Sequence, residues 1–413
     1  MFRCITTLKG MIIDIDSFSS DPLEGWSPFV QKYKCVFLTA QDENAVKVNS
    51  RFGAGSALQI KTYQKPFAPS ISIQRQCIQM LDLLPTEVVY VSRDIEFINN
   101  AMEFLSGTIW ITRNISYEDA SRIADMVSRD LPTLNDDLNG GIKGYIGETA
   151  LYPGEFPRGS MLPTVFLVDK ETYPLILLGR YFGYEHYMSQ LHPYSSAIYL
   201  NKQKGRKYCG IFDEMFYKLY LGALQNLLRT MRIDGICSVP PRAGKENRFS
   251  GILRNLSETT RIQNYDGLLI CNYSYPSQKS LSQREREENI QGVFQATEAL
   301  NGETIVLIDD IASTGSTLRE CVRVLKNKGA GKIIIIVLAV NQIHESYWSS
   351  IPAQVSCPRC GERMHLLVNS RNRRFFYSCY NCRSQTMDFE EGRKLVETLV
   401  NRETNQPDDD FSF

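Results

Sequence analysis

Two adjacent carboxylates followed by a turn of small residues form the clearest ligand-binding pattern in the sequence. Asp309 and Asp310 end an apolar run, residues 305–308, that is typical of a buried strand. The turn comprises Ala312, Ser313, Thr314, Gly315, Ser316 and Thr317, and a helical pattern follows from Leu318. Backbone N–H groups of such a turn bind phosphate, and a glycine lets the backbone approach it closely. Because an acid pair suits a vicinal diol, the pattern predicts a ribose 5-phosphate site. The alternative is a turn in which Asp310 or Ser313 only caps a helix.

Four cysteines near the C-terminus have the spacing of a zinc site. They form two Cys-x-x-Cys pairs separated by 18 residues, namely Cys357, Cys360, Cys379 and Cys382. In this arrangement four thiolates close a tetrahedron around a structural Zn²⁺ ion.

The segment between the two cysteine pairs is basic and aromatic. It contains Arg371, Arg373, Arg374, Phe375, Phe376 and Tyr377. Arginine binds phosphates and aromatic rings stack on bases, so this mixture suits single-stranded nucleic acid. A zinc ribbon that only packs on its neighbour, with its arginines in solvent, is the alternative.

Alternating strand and helix patterns predict an α/β multidomain protein. In residues 1–134 they predict a Rossmann-like parallel sheet whose ligand site lies at the carboxyl ends of the strands. Polar residues occur at those ends and between them: Asp14, Asp16, Thr39, Lys65 and Asp94. Residues 197–350 are predicted to form a second α/β domain, with a linker and an irregular, hood-like β region in residues 135–196.

The remaining boundaries and the composition complete this outline. Residues 353–390 are predicted to form a small β zinc ribbon, and residues 391–413 a helix and a disordered tail. The 46 basic and 46 acidic side chains balance, so net charge favours no class of partner. With no long apolar run, a cytoplasmic protein without a membrane partner is expected.

Residues 304–317 closely resemble the 5-phosphoribosyl-1-pyrophosphate (PRPP) signature of type I phosphoribosyltransferases. The resemblance implies that Asp309 and Asp310 bind the ribose hydroxyls and that residues 312–317 surround the 5-phosphate. It also implies a pyrophosphate site at residues 240–245, where Arg242 and Lys245 and a Mg²⁺ ion would meet the leaving group. A solvated surface turn is the alternative there.

A further run, residues 277–294, resembles the ComF-type branch of these transferases. By that resemblance a mobile loop closes over PRPP, and Arg284 or Arg286 reaches the pyrophosphate. An exposed helix of mixed charge is the alternative. ComF-type proteins carry their zinc ribbon at the amino end, whereas this chain carries it at the carboxyl end.

The acids of residues 1–134 occur in the order found in haloacid dehalogenase-like (HAD-like) phosphohydrolases. That resemblance implies Asp14 as nucleophile and Asp16 as general acid/base. It places Thr39 and Lys65 on the phosphoryl oxygens and Asp94 near Mg²⁺. The sequence departs from the family at Phe18, where a threonine is usual, and at the segment Ser-Arg-Asp that ends at Asp94, where a second acid is usual. The alternative is a domain that only scaffolds or binds a phosphorylated ligand.

Two functional hypotheses follow from these patterns. The first is a transferase that replaces the pyrophosphate of PRPP by an unidentified acceptor, coupled to a phosphohydrolase step. The second is a non-catalytic protein that senses PRPP or nucleotides and binds nucleic acid, in DNA uptake, defence or stress response. Neither the acceptor nor the oligomeric state follows from the sequence.

Overall fold

The structure is a computed structural model that describes residues 7–151, 158–183, 186–202, 208–272, 285, 289–343, 355–382 and 385–405. The predicted tail beyond residue 405 lies outside the described residues. Within the described ranges, no helix combines the length and apolar character needed to cross a bilayer.

The described chain alternates strands and helices. The strands are β1 (Gly10–Asp14), β2 (Lys34–Thr39), β3 (Ala57–Gln59), β4 (Val88–Ser92), β5 (Gly107–Ile111), β6 (Met126–Ser128), β7 (Ile142–Tyr145), β8 (Arg158–Ser160), β9 (Leu162–Val168), β10 (Glu171–Leu177), β11 (Arg180–Phe182), β12 (Gly235–Ser238), β13 (Gln263–Asn264), β14 (Leu269–Cys271), β15 (Phe294–Ala296), β16 (Thr304–Ala312), β17 (Lys332–Gln342), β18 (His365–Val368), β19 (Phe375–Ser378) and β20 (Thr386–Asp388). The helices are α1 (Ser27–Lys32), α2 (Asp42–Phe52), α3 (Ile71–Leu81), α4 (Ile95–Ala101), α5 (Tyr117–Ala120), α6 (Leu131–Asn139), α7 (Ile146–Thr149), α8 (Pro193–Asn201), α9 (Asp213–Leu228), α10 (Ser250–Thr260), α11 (Ser316–Asn327) and α12 (Phe389–Asn405).

Strands β1 to β6 form a parallel sheet, which confirms the prediction of a parallel-sheet α/β fold. The strand order is β3-β2-β1-β4-β5-β6. Every residue of β1, β4 and β5 is buried, as expected of strands covered by helices on both faces. The chain changes direction across the sheet at β1, whose neighbours are β2 and β4. Ligands bind at the carboxyl ends of strands at such a switch point, and Asp14 ends β1. We call β1 to β6 and their helices the first unit.

The connection from β1 to β2 is part of the core. Phe18 packs edge-on against Trp26, with ring centroids 5.0 Å apart. Trp26 also packs edge-on against Phe37 of β2, at 6.1 Å. The aromatic residue at position 18, where HAD-like sequences carry threonine, is therefore a packing residue.

The second sheet has the order β13-β12-β16-β17-β10-β9, and β11 also pairs with β17. All its pairings are parallel except the β9–β10 hairpin. Residues 162–182 thus extend this sheet, whereas the sequence suggested a separate irregular β region. The reason is β17, an 11-residue strand with nine buried residues, whose second edge needs a hydrogen-bonding partner. We call this sheet and its helices the second unit.

The C-terminal segment forms a three-stranded antiparallel sheet of β18, β19 and β20, followed by α12. It packs on the second unit. Tyr377 Oη donates to the Gln190 carbonyl at 2.7 Å, and the rings of Phe375 and Phe212 stack with centroids 6.1 Å apart.

Candidate functional site

The acid pair lies near the end of β16, and its side chains are held by the local backbone. Asp309 Oδ1 accepts a hydrogen bond from the Asp310 N–H at 2.8 Å, and Asp310 Oδ1 accepts one from the Ile311 N–H at 2.6 Å. From α9, Tyr220 Oη donates to the Asp309 carbonyl at 2.6 Å. Both residues are 7% exposed, and both line a cavity.

Two cations pair with these acids. Arg248 Nη2 lies 2.6 Å from Asp310 Oδ2 and 3.4 Å from Asp309 Oδ1. Lys202 Nζ lies 2.8 Å from Asp310 Oδ2. Sequence reasoning missed both residues. Arg248 is 61 residues from Asp309, and its only signal is its place in the basic loop after β12.

The two acids differ in their affinity for a proton. Burial raises the pKa of Asp309, the charge of Asp310 adds to this effect, and Arg248 and Lys202 only partly oppose it. Burial also acts to raise the pKa of Asp310, but the ion pairs with Lys202 and Arg248 outweigh it and lower that pKa. Asp310 is therefore the firmly ionised member of the pair.

The turn after β16 leads into helix α11 through a glycine in the left-handed region. Gly315 adopts a left-handed φ of +78° and caps helix α11, which begins at Ser316. The hydroxyls of Thr314 and Ser316 lie 3.0 Å apart. Ala312 and Ser316 are buried, whereas Ser313 is exposed. The N–H groups in the first turn of α11, which have no partner within the helix, therefore directly follow this glycine.

Five of the predicted residues line one cavity of about 530 Å³: Asp309, Asp310, Thr317, Arg242 and Lys245. Residues 312–316 of the turn are not part of its lining. The volume is typical of a small-molecule site. Arg284 and Arg286 lie outside the described residues.

A second acidic cluster lies at the carboxyl end of β1. Asp14 is fully buried, and its Oδ1 contacts Lys65 Nζ. Lys65 Nζ also lies 3.6 Å from Asp16 Oδ2. Ser92 Oγ, at the end of β4, donates to Asp14 Oδ2 at 2.8 Å. Side chains from β1, from β4 and from the segment between β3 and α3 thus meet at the switch point of the sheet.

Asp16 is held by donors from the second strand and the helix after it. It accepts hydrogen bonds from Thr39 Oγ1, from the Ala40 N–H at 2.8 Å and from Asn44 Nδ2 at 3.0 Å. Burial acts to raise the pKa of Asp16, but these donors outweigh it and lower that pKa. At Asp14 burial prevails over Lys65 and Ser92, so its pKa is raised.

Asp94 is the N-cap residue of helix α4. Its exposed carboxylate caps α4 by accepting the Glu96 N–H at 2.9 Å. Arg93 pairs with Asp21, with its Nη2 2.6 Å from Asp21 Oδ2. Ser92 takes the position beside Asp14. It and Asn44 were missed, since neither residue type marks a catalytic pattern.

The four predicted zinc ligands converge in the C-terminal segment. Their Sγ atoms all lie within 4.8 Å of one another, and Cys360 Sγ is 3.6 Å from Cys379 Sγ. A tetrahedron with Zn–S bonds of about 2.3 Å needs S–S separations of about 3.8 Å. The four cysteines can therefore bind a metal such as zinc.

The side chains predicted to contact nucleic acid differ in exposure, with Phe376 half-buried between an exposed and a buried group. Arg371, Arg373 and Arg374 are exposed. Phe375 and Tyr377 are buried, at 9% and 0% exposure, and they pack on the second unit. These two rings hold the ribbon on its neighbour and do not offer a surface for base stacking.

A comparison with protein families identifies part of the second unit. Residues 267–359 match the phosphoribosyl transferase domain, and this range contains the acid pair and the turn after it. The chain therefore contains a phosphoribosyl transferase domain. No curated protein matches the sequence significantly.

Solved structures give weaker similarities. A purine phosphoribosyltransferase from Pyrococcus horikoshii is 19% identical over 32% of this chain and 85% of its own, with a TM-score of 0.23. A hypoxanthine phosphoribosyltransferase from Staphylococcus aureus is 15% identical over 33% of this chain and 76% of its own, with a TM-score of 0.23. An L-2-haloacid dehalogenase is 20% identical over 29% of this chain and 55% of its own, with a TM-score of 0.23. At these values the likeness does not extend to function.

Proposed function

We propose that this chain is a PRPP-dependent phosphoribosyltransferase that transfers phosphoribose to an acceptor and releases pyrophosphate. The supporting observation is the convergence of Asp309, Asp310, the start of α11 and the loop after β12 on one cavity. A polyanion such as PRPP also needs cations, and four basic side chains line that cavity: Lys202, Arg242, Lys245 and Arg248.

The proposed reaction exchanges one bond at ribose C1. The bond from C1 to the pyrophosphate oxygen breaks, and its electron pair leaves with pyrophosphate. A lone pair of the acceptor forms the new bond to C1, and the acceptor loses its proton. Asp309 and Asp310 accept hydrogen bonds from the ribose hydroxyls, and their charge stabilises the positive charge that develops on the ring. Arg242 and Lys245 of the loop after β12 stabilise the negative charge on the leaving pyrophosphate.

Mg²⁺ fits this cavity by the chemistry of its donors, because it prefers carboxylate and phosphate oxygens and the acid pair lies beside the proposed pyrophosphate loop. When bound with PRPP it would neutralise charge on the leaving group. Asp309 and Asp310 are the residues that would hold it.

Calorimetric titration with PRPP and Mg²⁺ tests the proposal. We expect the wild-type chain to bind and the double variant Asp309→Asn, Asp310→Asn to lose at least about 100-fold in affinity, since a charged hydrogen bond contributes about 1.5–3 kcal/mol. The control removes two exposed acids of the second unit, by Glu214→Gln and Glu258→Gln. Equal affinity of the wild type and the Asn variant would refute the assignment.

Metabolite profiling with PRPP then separates the two functional hypotheses. A transferase consumes PRPP and releases pyrophosphate when its acceptor is present in a cell extract. Binding without consumption in any extract would instead favour a non-catalytic PRPP sensor. The same experiment identifies the acceptor by the mass added to phosphoribose.

We also infer that the first unit is a HAD-like phosphohydrolase. The supporting observation is the cluster of Asp14, Asp16, Thr39 and Lys65 at the switch point of its sheet. Asp14 would attack phosphorus and form an aspartyl-phosphate, while the leaving oxygen takes a proton from Asp16. Water then cleaves the aspartyl-phosphate. Mg²⁺ fits Asp14 and Asp16 as ligands, but Asp94 is committed to its helix cap.

Hydrolysis of phosphomonoesters by wild type and Asp14→Asn tests this second assignment. We expect the variant to lose at least about 1,000-fold in kcat, as is usual for a removed nucleophile. Asp42→Asn, which removes an exposed acid of the same unit, should retain full activity. Equal rates for wild type and Asp14→Asn would exclude a phosphohydrolase at this cluster.

The two proposed activities form a sequence. A phosphoribosylated product is itself a phosphomonoester, so the first unit could release its 5-phosphate. In metabolite profiling, the wild type should accumulate the dephosphorylated product and Asp14→Asn the phosphorylated one. Accumulation of the phosphorylated product by both proteins would show that the activities are not coupled.

A further inference from the structure

The turn that we assign to the ribose 5-phosphate is in direct contact with the first unit. Tyr117, at the start of α5, donates from Oη to the Ser313 carbonyl at 2.6 Å. Its ring is 4% exposed, and it packs edge-on against Phe166 of β9 with centroids 5.0 Å apart. A residue nearly 200 positions away in the chain thus holds the backbone of this turn.

The next carbonyl of the turn is held in the same way. Arg319 Nη1 donates to the Thr314 carbonyl at 2.8 Å. Its guanidinium lies 5.3 Å from the Phe166 ring centroid and 3.7 Å from Glu118 Oε1 of α5. Tyr117 and Arg319, which bind these two carbonyls, therefore both contact Phe166 of β9, and Arg319 also pairs with α5.

These two hydrogen bonds determine where the N–H groups of the turn point. In a planar trans peptide the carbonyl and the following N–H point in opposite directions. Because the Ser313 and Thr314 carbonyls point towards Tyr117 and Arg319, the N–H groups of Thr314 and Gly315 point away from them. A carbonyl turned towards the ligand would repel a phosphate, whereas an N–H would bind it.

The position of α5 is fixed by further contacts with the second sheet. Gln342 of β17 accepts the Ile123 N–H at 3.0 Å and donates to the Ala120 carbonyl at 3.0 Å. The Val165 N–H donates to the Ile115 carbonyl at 3.1 Å. Space at the turn is equally restricted, since a Cβ on Gly315 would lie 2.9 Å from the Phe166 ring and 3.1 Å from the Tyr117 ring.

We propose that Tyr117 of the first unit is a positioning residue for the phosphate-binding turn of the second unit, and that it sets the affinity for the 5-phosphate of the substrate. The inference rests on the proposed phosphoribosyltransferase function. Tyr117 does not contact the ligand. It acts by holding the Ser313 carbonyl, so that the turn presents N–H groups to an anion before the anion binds.

The test compares Tyr117→Phe with Tyr90→Phe. Tyr90 is a fully buried tyrosine of the same unit, and its hydroxyl has no hydrogen-bond partner among the described residues. Ribose 5-phosphate and pyrophosphate are titrated separately by calorimetry. We expect Tyr117→Phe to weaken ribose 5-phosphate binding roughly three- to tenfold and to leave pyrophosphate binding unchanged. Tyr90→Phe should change neither. In turnover, the KM for PRPP should rise while kcat stays the same.

Three other outcomes would overturn the inference, and they are distinguishable. If Tyr117→Phe binds both ligands like the wild type, Tyr117 does not position the turn. If it weakens both ligands equally and lowers Tm, its role is general stability. If the wild type binds neither ligand nor PRPP, the proposed function itself fails, and the inference fails with it.

Discussion

Glu148 of α7 lies in a buried network of charges that joins the two units. Its carboxylate accepts hydrogen bonds from Arg180 Nε at 2.9 Å and from Arg180 Nη2 at 2.8 Å. His192 Nε2 lies 3.5 Å from Glu148 Oε2. Arg180 also pairs with Asp125 of the first unit at 2.9 Å. Burial alone would raise the pKa of Glu148, but Arg180 and His192 outweigh it, and the pKa is lowered below that of free glutamate.

The substitution Glu148→Gln tests this network. Because the folded pKa is lowered, the charge stabilises the fold above the unfolded pKa of about 4.3, and this contribution is lost as pH falls towards the folded pKa. We expect Glu148→Gln to lower the free energy of unfolding by about 3–5 kcal/mol at pH 7. The difference from wild type should shrink between about pH 5 and pH 3, as measured by urea unfolding.

A matched control is Glu214→Gln, which removes an exposed carboxylate that pairs with Lys218 at 2.9 Å on α9. Exposed pairs of this kind contribute little, so its unfolding curve should follow that of the wild type at every pH. A Glu148→Gln protein as stable as the wild type at pH 7 would show that the buried network does not stabilise the fold.

At the scale of elements, the sequence predicts the parts of each site that are continuous in the chain. Asp309, Asp310 and the turn after them occupy one strand-turn-helix segment, so their types and spacing carry the prediction. The cysteine pairs are equally local. Arg248 and Lys202 could not be predicted in the same way, because only folding brings α8 and the loop after β12 to the end of β16.

The same limit explains the element that sequence reasoning placed differently. Residues 162–182 contain short strand patterns, and short patterns do not show which edge they pair with. Their place on β17 follows from the length and burial of that strand. The family resemblance implied that Asp94 lies near Mg²⁺, but it did not point to Ser92, whose hydroxyl donates to Asp14, or to the helix cap that Asp94 forms on α4.

The zinc ribbon is the element whose role follows most directly from its packing. Zinc bound by the two cysteine pairs would close the ends of β18 and β19. Those strands place Phe375 and Tyr377 against the second unit. Phe212, which stacks on Phe375, lies one helical turn before Phe216 of the proposed PRPP cavity. Loss of the metal should therefore loosen the ribbon and the wall of that cavity.

We expect the purified chain to contain one zinc ion, measured by elemental analysis, and Cys379→Ser with Cys382→Ser to contain none. Removing the metal with a strong chelator should lower Tm and weaken PRPP binding moderately. The control is Cys77→Ser, which alters a buried cysteine of the first unit and should retain zinc. Full zinc content in the double variant would contradict the assignment of these ligands.

At the scale of the whole molecule, hydrogen bonds of the backbone as well as of side chains join the first and second units. The Ile343 N–H donates to the Ser121 carbonyl at 2.8 Å, and the Val165 N–H of β9 donates to the Ile115 carbonyl at 3.1 Å. With the Asp125–Arg180 pair and the contact of Tyr117 with the turn, these bonds leave little room for the units to unfold separately. Ligand binding to one unit should therefore stabilise the other.

Tryptophan fluorescence tests this coupling, because two of the three tryptophans, Trp26 and Trp110, are buried in the first unit. In a Trp348→Phe background they are the only reporters. We expect PRPP at about 100 times its Kd to stabilise the first unit by up to about 2.7 kcal/mol, measured as a shift of the urea midpoint of fluorescence. In the Asp309→Asn, Asp310→Asn variant no shift should occur. If circular dichroism shifts but fluorescence does not, the units unfold independently, and the contacts around α5 do not transmit the binding energy between them.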